Sequence, residues 1–191
     1  ISASHNRFFD NGIKFFDRSG SKLSDEIEDR IEERLREPAI TLESRSLGKA
    51  KRIDTARIRY QDFCAASLPE GVSLEGLKIV FDGANGAGYK VGPRTLANLG
   101  AEVIPVGCSP NGRNINDNCG STHPELLELT VPAVKADVGI ALDGDGDRVL
   151  MADEQGNLID GDQLLYVLAT ARKDKGELEG PVVGTVMSNL G

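Results

Sequence analysis

Apolar positions follow one rhythm through the first sixty residues and another from residue 77 onward. After the Asn11-Gly12 turn signal, Ile13 and Phe15 face one way while Lys14 and Phe16 face the other. That alternation predicts a turn and a strand over residues 8–16. In SDEIEDRIEERLR, Ile27, Ile31 and Leu35 recur at helical spacing, Ser24 offers an N-cap and acids fill the first turn. A helix over 24–36 is predicted, stopped by Pro38. Residues 39–52 are polar and irregular, a connector, and DTARIRYQDFCAA predicts a second helix over 54–66, ending before Leu68-Pro69.

The second rhythm is tighter. LKIVFD (77–82) is a short apolar run closed by DGANGAG, which predicts a buried strand entering a Gly-rich turn. A helix over 89–100 stopped by Gly100, a strand over 101–107, a helix over 124–136 and a strand over 137–143 follow. VLMADEQGNLID (149–160) reads as a hairpin turning at Gln155-Gly156-Asn157. A helix over 162–173 and a strand over 181–187 complete the series. Strand and helix alternating at short periods predict βαβ units: an α/β fold with mixed, mainly parallel sheets flanked by helices. The change of composition around residues 60–77 marks the main domain boundary, and the hairpin near residue 156 marks a second.

Composition narrows the class. Of 191 residues, 39% are hydrophobic and 27% charged, as in ordinary globular domains. The net charge of −8 argues against a nucleic-acid or anionic-membrane surface, though a few local cations suffice for an anionic substrate. The three cysteines, Cys64, Cys108 and Cys119, match no zinc spacing and are expected to be reduced thiols of a cytoplasmic protein. No apolar run is long enough to span a bilayer, and a chain opening on Ile1 reads as an interior cut rather than a targeting segment.

The densest chemistry lies in DGDGDR, where Asp143, Asp145 and Asp147 alternate with glycines directly after the apolar run VGIAL. Three carboxylates this close repel one another unless a cation neutralises them, and hard oxygen donors select Mg²⁺, Ca²⁺ or Mn²⁺. Arg148 adds a guanidinium suited to phosphate or carboxylate. Residues 143–154 also imitate an EF-hand loop, which would make a Ca²⁺-binding module. Arg148 stands where that loop needs Gly, and a strand rather than a helix precedes it. A second cluster opens the chain: Ser2, Ser4, His5, Asn6 and Lys14. Ser4 and His5 are adjacent, so they cooperate only in a loop, and no G-x-S-x-G elbow supports a hydrolase. Taken alone, that stretch is as well explained by local hydrogen bonding. His123, after Ser121-Thr122 and before a predicted helix start at Pro124, suits capping better than catalysis.

Together, S-A-S-H-N, D-N-G-I-K and the distant D-G-D-G-D-R resemble the α-D-phosphohexomutase superfamily along the whole chain. R-Y-Q-D-F-C (59–64), D-G-A-N-G-A-G-Y (82–89) and above all N-I-N-D-N-C-G-S-T-H (114–123) are similar to the branch acting on glucosamine phosphates rather than glucose or mannose phosphates. The resemblance implies that Ser4 carries a phosphoryl group and that Asp143, Asp145 and Asp147 bind Mg²⁺, completed by a phosphate oxygen on Ser4. It implies that Lys14 serves as acid/base or stabilises charge, and that His5 and Arg148 contact the phosphate or the reacting hydroxyl. It also implies interconversion of glucosamine 6-phosphate and glucosamine 1-phosphate through a bisphosphate, ahead of UDP-N-acetylglucosamine and cell-wall synthesis. A phosphosugar is the expected partner, without nucleic acid or membrane, and a homodimer is left open. Residues 1–60 would be the latter part of a first domain with its phosphoserine loop. Residues 61–155 would be a second domain with the metal loop, and 156–191 the start of a third, GTVMSNLG (184–191) resembling its first strand and turn. Loops of the third and fourth domains that choose the sugar would lie outside the chain. Arg7 stands where the family usually has Pro and reads as an exposed variant.

Overall fold

The computed structural model describes residues 1–188. Five strands form one sheet in the order β2-β1-β3-β4-β5. They are β1 (Lys78–Asp82), β2 (Glu102–Val106), β3 (Val138–Leu142), β4 (Val149–Ala152) and β5 (Leu158–Ile159). β2 and β3 flank β1 in parallel, whereas β3–β4 and β4–β5 are antiparallel. The sheet is mixed, as the sequence predicts, with its parallel half built by two crossovers and its antiparallel half by hairpins.

Among the described residues five α-helices accompany it: α1 (Asp25–Leu35), α2 (Ala56–Ala65), α3 (Val91–Asn98), α4 (Glu125–Val134) and α5 (Gly161–Asp174). Neighbouring strand residues point to opposite faces. Val80 accordingly joins Leu127 and Val131 of α4, together with Ala141 and Ala152, in the buried core. The Phe81 ring lies on the other face, directly beneath Gly92 of α3, where an added Cβ would come within 2.6 Å of Cε2. The crossover helices α3 and α4 therefore cover opposite faces, giving an α/β/α sandwich.

Helix ends follow local chemistry. Asp160 and Gln163 form a reciprocal capping box at the start of α5, the side chain of each accepting the other's backbone N–H. Lys135 closes α4 in the left-handed region, and Ala136 N–H then reaches back to Val131 O at 3.0 Å. Pro132 within α4 leaves the Glu128 carbonyl without its helical donor. Pro124 occupies the N-cap position, and no side chain caps the helix, so the capping expected of His123 is not made.

Two predicted strands do not form. Residues 8–16 hold only two isolated bridges, Ser2 with Gly12 and Phe16 with Lys22, and residues 181–187 hold no strand. A strand needs a partner for its backbone groups and a surface for its apolar face. Ile13, Phe15, Phe16, Val183 and Val186 are instead exposed. The last three residues of the 184–191 stretch lie outside the described residues. α1 fully buries none of its residues: Ile27 and Leu35 are exposed, and Ile31 is half-buried in a groove shared with Ile13, Phe15 and Phe16. Among the described residues no helix is long and apolar enough to cross a membrane.

Candidate metal centre

The chain runs from β1 to β2 on one side and returns to β3 on the other. Strand order thus reverses about β1, and loops at carboxyl ends on either side of such a point enclose a crevice. Three loops meet there: the 83–87 turn after β1, residues 107–120 after β2, and 143–148 after β3. Asp82 at the end of β1 is fully buried. Its Oδ1 accepts Ala84 N–H at 2.9 Å and its Oδ2 accepts Gly120 N–H at 2.7 Å, fastening two of the loops together. Ala87 N–H donates to Gly144 O at 2.8 Å, fastening the third.

The loop after β3 curls around one carboxylate. Asp143 is fully buried, and its Oδ1 accepts the N–H groups of Gly146, Asp147 and Arg148 at 3.0, 3.2 and 3.2 Å. Its Oδ2 is buried without a hydrogen-bond partner among the described residues. Asp145 Oδ2 accepts from Ser2 Oγ at 2.9 Å and from Lys14 Nζ at 2.8 Å, while its Oδ1 is also buried without a partner among the described residues. One carboxylate oxygen from each of Asp143, Asp145 and Asp147 lies within 4.8 Å of the others. Buried carboxylate oxygens left unpaired are costly, and a hard cation is the partner that satisfies several together. The three carboxylates fit such an ion. The EF-hand alternative fails, because residues 143–148 join two antiparallel strands rather than two helices.

Electrostatics follow from contact. The hydrogen bond to Asp145, reinforced by its charge, raises the Lys14 pKa. Lys14 in turn holds the Asp145 carboxyl below its ordinary value, opposed by partial burial. Lys14 at neutral pH is therefore a fixed positive charge at the rim.

Ser4 is brought to the same place from 139 positions away along the chain, in a turn rather than a strand. Its φ of 49° is left-handed. Its carbonyl accepts Gly144 N–H at 3.0 Å, and its own N–H donates to Ser2 Oγ at 3.0 Å. Ser4 Oγ and His5 Nδ1 lie 3.4 Å apart, so the adjacent pair does meet once the backbone leaves the extended region. Arg148 lies exposed at the loop's end, and its guanidinium forms no ion pair among the described residues. An open cleft of about 420 Å³ adjoins the loops, lined by Ser2, Ala3, Asn85, Ile115, Gly144 and Asp145.

The sequence placed Ser2 in the opening cluster without a role, and the structure shows it bridging Ser4 and Asp145; Asn116, which is 1% exposed and donates to the Ser4 carbonyl at 2.8 Å, was not singled out. Asn116 lay in plain view in the Asn-rich run 114–118, a composition that marks left-handed turns. Arg7 is not free either: its guanidinium pairs with Asp117 at 3.1 Å.

Fold and site together define an α/β/α protein whose acidic loop is built against a serine turn. Residues 59–156 match the family model described as phosphoglucomutase/phosphomannomutase, alpha/beta/alpha domain II, and residues 1–40 match that of domain I. The chain belongs to the phosphoglucomutase/phosphomannomutase family. Among its relatives, a phosphoglucosamine mutase of Methylobacillus flagellatus is 57% identical over 190 residues, covering all of this chain and 42% of the relative. One from Chromobacterium violaceum is 55% identical, again over all of this chain and 43% of the relative. The fold is similar to that of a phosphoglucomutase/phosphomannomutase family protein from Burkholderia thailandensis. That match has a TM-score of 0.67 and 26% identity over 92% of this chain and 37% of the other. The chain thus spans about two-fifths of the length of its curated relatives.

Proposed function

We propose that the protein carrying this chain is a phosphosugar mutase interconverting glucosamine 6-phosphate and glucosamine 1-phosphate, with Ser4 as the phosphoryl carrier. The observation that supports it most is the docking of the Ser4 turn onto the DGDGDR loop through the Gly144 N–H. The identity to phosphoglucosamine mutases over the full chain supports the sugar assignment.

In this reading the Ser4 Oγ–P bond breaks as a new P–O bond forms to a sugar hydroxyl. The hydroxyl proton leaves to a neighbouring base, for which His5, with Nδ1 3.4 Å from Ser4 Oγ, is the candidate. The resulting bisphosphate returns its other phosphoryl group to Ser4 Oγ. Such transfers depend on in-line positioning and on charge neutralisation at the equatorial oxygens. Lys14 and Arg148 supply fixed positive charge. Asp143, Asp145 and Asp147 would hold Mg²⁺, which supplies the remaining neutralisation when bound. By the same reading, residues 1–60, 61–155 and 156–191 are parts of three successive domains, and the protein works in the cytoplasm without nucleic acid or membrane partners.

The test uses the full-length protein. Intact-mass and peptide mapping should find phosphate on Ser4. Turnover of glucosamine phosphates should exceed that of glucose and mannose phosphates. Preference for a glucose or mannose phosphate would overturn the sugar assignment, and phosphate absent from an active enzyme's Ser4 would overturn the carrier. Asp145→Ala is expected to lower turnover by at least about 100-fold, with the fold retained by circular dichroism.

A further inference from the structure

Asn116 takes no part in the chemistry just described, yet it is where the Ser4 segment is held. Its side-chain amide donates one hydrogen to Ser4 O at 2.8 Å and the other to Asn6 O at 2.7 Å. Its backbone N–H donates to Ala84 O at 2.9 Å, so the residue is itself fixed to the turn after β1. Its φ is 54°, a conformation Asn adopts more readily than most residues. The Ser4 carbonyl accepts a second N–H from Gly144, and a Cβ on Gly144 would come within 2.8 Å of Asn116 Nδ2. Asp117 pairs with Arg7. Ser4, Asn6 and Arg7 are thus tied in succession to two adjacent residues of the loop after β2.

The tie has work to do. Ser4 stands at a positive φ that a non-glycine residue holds only when its surroundings impose it. Released, the turn would relax and shift Ser4 relative to the acidic loop that its carbonyl now contacts through Gly144 N–H. An amide supplies two donors from one planar group of this size, whereas a carboxylate in its place supplies none.

We propose that Asn116 is a positioning residue that fixes the Ser4 turn against the acidic loop, with the Arg7–Asp117 ion pair as a second tie. This rests on the phosphoryl-carrier reading of Ser4. Asn116 acts through backbone carbonyls, so its loss misaligns the transferring group without removing a contact to the sugar. Misalignment by about 1 Å costs on the order of 100-fold in rate.

The experiment uses the full-length protein. Asn116→Ala and Asn116→Asp should each lower kcat by at least about 30-fold and leave KM for the phosphosugar within about threefold. Arg7→Asp should lower kcat by about three- to tenfold, and the swap Arg7→Asp with Asp117→Arg should recover most of it. Hydrogen exchange reads the tie without turnover. Amides of residues 2–8 should exchange at least about tenfold faster in Asn116→Ala while β1 and β3 stay protected. Unchanged kcat and unchanged exchange in a folded Asn116→Ala would overturn the proposal. If that variant fails to fold, an Arg7→Asp effect that the swap does not rescue overturns it. A wild-type protein without phosphosugar turnover would instead refute the mutase reading, and the exchange pattern would still decide whether Asn116 holds the turn.

Discussion

Asp82 illustrates how much one side chain can organise. Both of its oxygens are engaged by backbone N–H groups from different loops, and burial raises its carboxyl pKa despite those bonds. The folded state therefore holds this proton more tightly than the unfolded chain. Stability linked to the group is present below the unfolded pKa and is lost as pH rises through the folded one. Asn cannot ionise, and its amide would turn a donor toward one of the two N–H groups. Asp82→Asn is thus expected to destabilise by about 1–3 kcal/mol, more at acid pH than at neutral pH, as urea unfolding at several pH values would show. Cys119 gives a second check. Burial pushes its thiol up to about 11, with the Asp82 charge adding to the effect. Alkylation of the native chain in mildly alkaline buffer should therefore modify the half-buried Cys64 well before Cys119. At this scale DGDGDR was legible, because a carboxylate cluster after an apolar run has few other uses. The roles of Ser2, Asn116 and the Arg7–Asp117 pair were not, because each acts on residues more than a hundred positions away.

Elements were legible where their partners lie in the chain. The runs 77–82, 101–107 and 137–143 became β1, β2 and β3, each trimmed by a residue or so, and all five predicted helices formed. The runs 13–16 and 181–187 have comparable apolar content but no strand beside them among the described residues, and remain without sheet pairing. Periodicity reports a disposition to pair, while pairing itself depends on what stands alongside. The β4–β5 turn shows a subtler dependence. Gly156 has φ of 86°, and a Cβ there would collide with the Glu128 carbonyl that Pro132 leaves without a helical donor, and meet Pro132 Cδ at 3.2 Å. Gly156→Ala therefore meets two penalties, backbone conformation and overpacking, expected to total about 1–3 kcal/mol. Thermal unfolding would measure the loss, and Tm equal to wild type would show that the turn can move off α4.

Across the whole molecule, burial is uneven. The core gathers between the sheet and α4, whereas Phe15, Phe16, Leu35, Phe63 and Tyr166 are exposed. Exposed apolar groups on this scale favour association. The chain on its own is expected to self-associate with rising concentration, detectable by sedimentation, and to show no mutase turnover. Wild-type-like turnover by residues 1–191 alone would contradict the domain reading proposed above. The Ser4 carbonyl contacts, to Asn116 and Gly144, have a consequence in time as well as in space. A ribosome working at about 5–20 residues per second delivers Ser4 several seconds or more before Gly144 follows. During that interval the serine has no docking loop and no acidic neighbours. On the phosphoryl-carrier reading proposed above, a phosphate that reaches Ser4 through this site would arrive only after the distant half of the site had been made and folded.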